Sequence, residues 1–165
     1  MNQMKGVIIV ALLTLAFLIP PAHAEEAFEL TQCVSGTVTL FHQSQEVPPV
    51  MSWAENGITM SDDKRFNNMT LHCEGVQVGV GPKRKGYSLC KYTDLDGDMI
   101  IGGGPYAGFG PGSGERIRLG TGKWKGIKAT FPRQRIVRSK PRKGAMPSTY
   151  QGCHSVKGTF ELPPK

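Results

Sequence analysis

Beyond its first two dozen residues, this 165-residue chain has no stretch in which apolar residues recur at helical spacing over ten positions. That pattern excludes a helix bundle and a run of βαβ units. No Cys-x-x-Cys pair occurs, so the close ligand pairs of a structural zinc site are missing. No Gly-x-Ser-x-Gly elbow occurs either. His42, His72 and His154 stand far apart, each in its own segment, and form no local catalytic or metal motif. A folded barrel can still bring Glu and His together, so whether the chain is an enzyme stays open. No apolar run after residue 18 is long enough to span a bilayer. No acid occurs between 116 and 143.

What is present begins with an export signal. Residues 1–5 carry one positive charge, Lys5, and 6–18 are almost wholly apolar. Ile19-Pro20-Pro21 interrupts that run, and Ala22-His23-Ala24 is a small-x-small cleavage site ahead of Glu25-Glu26. These are the three parts of a cleavable secretory signal. The apolar run is too short for a membrane anchor, and the two prolines would break a spanning helix. The expectation is a signal peptide over 1–24 and a single domain over 25–165, periplasmic or secreted, with no transmembrane segment after cleavage. Its oligomeric state is not legible.

The compartment changes how the cysteines read. Cys33, Cys73, Cys90 and Cys153 all lie in the expected mature part, and an even count in an oxidising compartment points to two disulfides. Four cysteines allow three pairings, and spacing does not choose among them. The nested one, Cys73–Cys90 with Cys33–Cys153, is favoured.

Glycine (21) and proline (12) make up about a fifth of the chain, below the level of a disordered segment. Residues 34–42, 51–60, 69–80, 87–93, 99–101, 115–119, 126–138 and 156–162 read as short strands rich in β-branched and aromatic residues. Asn56-Gly57 reads as a hairpin turn, and the phase slip at Gly75 as a bulge. Residues 102–114 hold seven glycines and two prolines and read as loop, as does polar 139–151. A short helix fits only near 62–68. Such a series of strands and Gly/Pro turns predicts an all-β domain, sandwich or barrel. Strands near both ends of the mature part can pair and close a sheet, which favours a single antiparallel barrel with little helix.

Three segments suggest chemistry. Asp94-Leu95-Asp96-Gly97-Asp98 places carboxylates at alternating positions, as a calcium loop does. Met99 stands where an EF-hand needs glycine, and Pro105 where it needs glutamate, so a turn is the simpler reading. Asp94, Asp96 and Asp98 remain metal candidates. Gly120-Thr121-Gly122-Lys123-Trp124 suggests a phosphate cradle, but Trp124 follows the lysine and no strand-to-helix switch does. No cofactor is expected. The basic run 116–143 contains eleven Lys or Arg. In an exported protein it points away from nucleic acid and toward an anionic envelope surface, with Arg133, Arg135 and Arg138 as contacts. A solvated strand face is the competing reading.

The segment from Tyr87 through Cys90 to Asp94-Leu95-Asp96-Gly97-Asp98, the segment Gly120-Thr121-Gly122-Lys123-Trp124-Lys125-Gly126-Ile127 and the final Gly158-Thr159-Phe160-Glu161-Leu162 together resemble small secreted bacterial barrels. These are similar to the allene oxide cyclase-like or dirigent-like superfamily. The resemblance covers roughly 73–162 and implies an antiparallel barrel of about eight strands. Plant members of that superfamily guide or cyclise small apolar molecules in the barrel, and no functional residue carries over by position. The expected function is noncatalytic binding of a small apolar or amphipathic ligand, with Trp53, Tyr87, Tyr92 and Trp124 as contacts. A cyclase or isomerase acting on such a ligand, or an envelope-surface protein using 116–143, are the alternatives.

Overall fold

The computed structural model describes residues 25–80, 83–107, 115–138 and 148–164. The expected export segment 1–24 lies outside them. Among the described residues there are nine strands and no α-helix: β1 (Glu26–His42), β2 (Val50–Met60), β3 (Thr70–Val78), β4 (Lys85–Thr93), β5 (Met99–Ala107), β6 (Glu115–Gly120), β7 (Lys128–Phe131), β8 (Arg133–Arg138) and β9 (Ser148–Glu161). All pair antiparallel in the order β1-β2-β3-β4-β5-β6-β7-β9-β8, and β1 also pairs with β9. The sheet therefore curls round on itself as a single β-barrel. β7 and β8 lie along successive parts of β9 and are separated by Pro132. They form one stave interrupted where proline supplies no N–H, so the barrel has eight staves.

Strand β1 shows why the chain takes this form. Phe28, Leu30, Gln32 and Val34 are buried on the inside, and Glu29, Thr31 and Ser35 alternate outside. A period of two is what a one-sided sheet requires. The segment begins at Glu26 rather than at residue 34, because its outward residues are polar enough to look like loop.

Several expectations need correction. Asn56-Gly57 is no turn: β1 pairs straight through it, Ser35 with Asn56 and Val34 with Gly57. Gly57 is required there because a Cβ would run into the Cys33 carbonyl. Gly75 carries no bulge, since β3 keeps register with β2 and β4 on either side of it. Residues 102–107 are strand, not loop, and Gly103 lies so close to the Ser88 backbone that no side chain fits. Residues 108–114 lie outside the described part. Near 62–68 there is one turn, in which the amides of Phe66 and Asn67 donate to the Asp63 carbonyl. Within 139–151, Ser148 onward already belongs to β9.

Turns 61–69, 94–98 and 121–127 lie at one end of the barrel, the closed end. The connection 43–49 and the β3–β4 turn lie at the other. At the closed end Phe66 drops into the lumen with no exposed surface. It stacks on Phe28 at 4.7 Å and lies 5.2 Å from Trp124 and 5.1 Å from Phe160. Phe131 joins at 4.8 Å from Phe28. This aromatic plug is the core.

Candidate ligand site in the open half of the barrel

Strand parity decides which side chains enter the lumen. Arg133 lies two residues beyond inward Phe131, and β7 and β8 keep one register along β9, Lys128 with Glu161 and Arg133 with Val156, so Arg133 points inward as well. β8 stands across the barrel from β3 and β4 in the strand order, and the Arg133 side chain spans that gap. Its Nη1 donates to Glu55 Oε1 at 2.9 Å. Its Nη2 reaches Cys73 Sγ at 3.1 Å, Cys90 Sγ at 3.2 Å and the Tyr92 hydroxyl at 3.3 Å. Tyr150 donates its hydroxyl to Glu55 Oε2 at 2.8 Å, and Tyr92 donates to Gln32 Oε1 at 3.2 Å. The Arg133 and Glu55 side chains are 16% and 5% exposed. In so dry a place, an ion pair is sustained only by added hydrogen bonds of this kind. The group forms a polar bar across the barrel, above the aromatic plug.

Beyond the bar the lumen changes character. Three inward glycines there face an aromatic residue directly across the strand pair: Gly75 faces Trp53, Gly36 faces Tyr150 and Gly86 faces Tyr106. A Cβ on these glycines would stand 2.5, 2.6 and 2.6 Å from the respective ring. The rings therefore lie flat along the wall, in space that only glycine leaves. Trp53 Nε1 donates to the Tyr106 hydroxyl at 3.1 Å, which donates to Gln77 Oε1 at 3.3 Å. Arg84 stacks over the Tyr106 ring at 5.6 Å. Trp53, Gln77, Ser88, Tyr106 and Tyr150 all face inward yet are only half-buried. Inward residues of the closed half, such as Ile100, Phe131 and Val156, have no exposure at all.

The four residues expected to contact a ligand are not brought together. Trp53 lines the open half. Tyr92 lies in the bar with its ring on Phe131. Trp124 belongs to the plug at the closed end. Tyr87 is corrected outright: it is 54% exposed on the outer wall, because its neighbour Ser88 takes the inward position. Arg133 is likewise corrected as a surface contact, since it crosses the lumen. The side chains of Arg135 and Arg138 lie outside the described part. Glu55, Gln77, Tyr106 and Tyr150 escaped the sequence reading. The signal for Glu55 was its phase, an acid in step with inward Met51, Trp53 and Thr59.

Asp94, Asp96 and Asp98 engage the second motif. Lys123 Nζ lies 3.0 Å from Asp94 Oδ2 and 2.6 Å from Asp96 Oδ2. Asp94 also accepts from Trp124 Nε1 at 2.7 Å and from the amides of Asp96 and Asp98. Asp98 accepts from the Lys123 amide at 3.0 Å. Burial alone would raise the Asp94 pKa, but the donors from Lys123, Trp124 and the turn outweigh it and hold it below the usual value. The bonds to Asp96 and Asp94 raise that of Lys123. A lysine ammonium thus occupies the place suited to a cation. Among the described residues, no three His, Cys, Asp or Glu side chains are arranged to hold a metal.

Both disulfides of the nested pairing form, Cys33–Cys153 and Cys73–Cys90, each between residues directly opposite in register. The second lies inside, against Arg133. The first lies on the outer face of the β1–β9 pair. Among the described residues no helix is long and apolar enough to cross a membrane. Neither a protein-family model nor a curated protein matches this chain.

Proposed function

We propose that this is an exported binding protein that takes a small amphipathic ligand into the open half of its barrel, as the likeness to allene oxide cyclase-like and dirigent-like barrels implies. The observation that carries the reading is the contrast within one lumen. Beyond the Arg133–Glu55 bar the inward Trp53, Gln77, Ser88, Tyr106 and Tyr150 are only half-buried, whereas most inward side chains below it are buried. Flat aromatic walls with a few hydrogen-bonding groups are the usual lining of a small-molecule site. Trp53, Tyr106 and Tyr150 supply apolar faces, and Gln77, Glu55 and Arg133 supply the polar end. The two disulfides suit an oxidising compartment.

The two tryptophans allow a direct test. A Trp124→Phe variant leaves Trp53 as the sole indole, and its emission should shift as an amphipathic dye such as anilinonaphthalene sulfonate is titrated in. Solvent extracts of the purified protein, examined by mass spectrometry, should contain a small amphiphile. An unmoved Trp53 spectrum together with an empty extract would overturn the reading. Glu55 and the Tyr150 hydroxyl also form an acid–base pair in the lumen, which favours a cyclase or isomerase as second reading. Glu55→Gln should then abolish conversion of a bound ligand without abolishing its binding.

A further inference from the structure

The described rim of the open end is built from the connection 43–49 and the β3–β4 turn. It combines exposed apolar tips with a basic turn. β1 pairs Leu40 with Met51 and His42 with Val50, so Phe41 is the extra residue of a β-bulge. Bulges re-aim side chains, and Phe41 is turned out to solvent, 64% exposed. Val47 in the next connection and Val80 after β3 are also exposed on this rim. Between them the β3–β4 turn presents Lys83 and Lys85, both exposed, with Arg84 stacked on Tyr106. Glu46 is the one acid on the described rim connections. The closed end is nearly balanced, with Asp62, Asp63, Asp94, Asp96 and Asp98 facing Lys64, Arg65, Lys123 and Lys125 in its turns. The described mouth connections are thus net positive, and the closed-end turns are not.

We infer that the mouth docks on an anionic lipid surface, with the barrel axis pointing into it and Phe41, Val47 and Val80 entering the headgroup region. Basic side chains are drawn to anionic headgroups, and apolar tips gain by leaving water there. The net positive charge of the mouth favours a mouth-first approach to an anionic surface. The apolar tips favour lipid over an acidic polysaccharide, which offers nowhere to bury them. This inference stands apart from the ligand reading: the first concerns the rim, the second the lumen.

Co-sedimentation of the full mature protein with vesicles tests it. Phosphatidylglycerol vesicles should bind the protein, phosphatidylcholine vesicles should not, and added salt should release it. Lys83→Ser with Lys85→Ser should weaken partition about 25-fold, at roughly fivefold for each lysine. Phe41→Ser with Val80→Ser should weaken it about tenfold or more. Lys91→Ser, on the outer wall, should change nothing. Near-ultraviolet circular dichroism checks that each variant stays folded. The inference is overturned if the wild type ignores phosphatidylglycerol, or if the lysine pair leaves partition unchanged. It is also overturned if a soluble acidic polysaccharide binds as tightly and the Phe41/Val80 variant is indifferent, an outcome that would assign the rim to a polyanion.

Discussion

The two halves of this barrel share staves but not their use of the interior. In the closed half, Phe66 comes in from a connection and packs against Phe28, Trp124 and Phe160, and inward positions are filled. In the open half, aromatic rings lie back against glycines, and the described inward side chains there are mostly half-buried. The Arg133–Glu55 bar marks the change. The comparison teaches that a small barrel can confine its tightest packing to one end and keep the other end less filled, with a hydrogen-bonded polar layer between the two.

The comparison can be broken by substitution, and the largest effects belong to what ties the staves together. Removing the Cys33–Cys153 bridge, which closes a separation of 120 residues, should cost about 5 kcal/mol, against about 3 for Cys73–Cys90 at a separation of 17. Urea unfolding of the two Cys→Ala pairs measures the difference. Phe66→Ala should cost about 3–5 kcal/mol by opening a cavity in the plug. Trp53→Ala, in the half-open wall, should cost about 1 kcal/mol while removing most of the dye binding. Equal losses at Phe66 and Trp53 would erase the distinction between halves.

The bar makes a sharper case. Glu55→Ala alone should destabilise by about 3–5 kcal/mol, because it strands the Arg133 charge. Glu55→Leu combined with Arg133→Met should recover most of that loss, and ligand binding should not return. A smaller effect concerns acid. The folded pKa of Asp94 is below its unfolded value, so its contribution is complete above about pH 4 and disappears as pH falls through the folded value. Asp94→Asn should therefore lower the melting temperature by about 2–5 °C near pH 7, and the gap to wild type should close in stronger acid. Lys123 acts in the opposite range. Its raised pKa gives a contribution complete below about pH 10 and lost as pH rises through the folded value.

Much of the fold was legible because period-two alternation is local. The strand content and the turn at 94–98 follow from neighbouring residues, and the strand pattern near both ends of the domain pointed to the closure through β1 and β9. The glycines misled for a definite reason. Gly57, Gly75 and 102–104 read as turns or bulges, since glycine permits positive φ. Here Gly57, Gly75 and Gly103 serve close approach, to a backbone carbonyl, a tryptophan ring and the β4 backbone. The partner in each case is far away in sequence, so nothing nearby announces it. The basic run misled similarly. Eleven basic residues between 116 and 143 look like surface, and only the strand parity, which puts Arg133 in step with buried Phe131, shows that Arg133 enters the lumen.

By itself the sequence determined the alternation that makes strands, the turn chemistry that ends them, and a cysteine set able to close the barrel. These depend on residues within a few positions of one another and on side-chain type. The tertiary structure alone decided which glycine lies beneath which ring, which arginine crosses to which glutamate, and which end of the barrel is filled. Those outcomes depend on cross-strand register, and register is set when distant strands pair to bury one face.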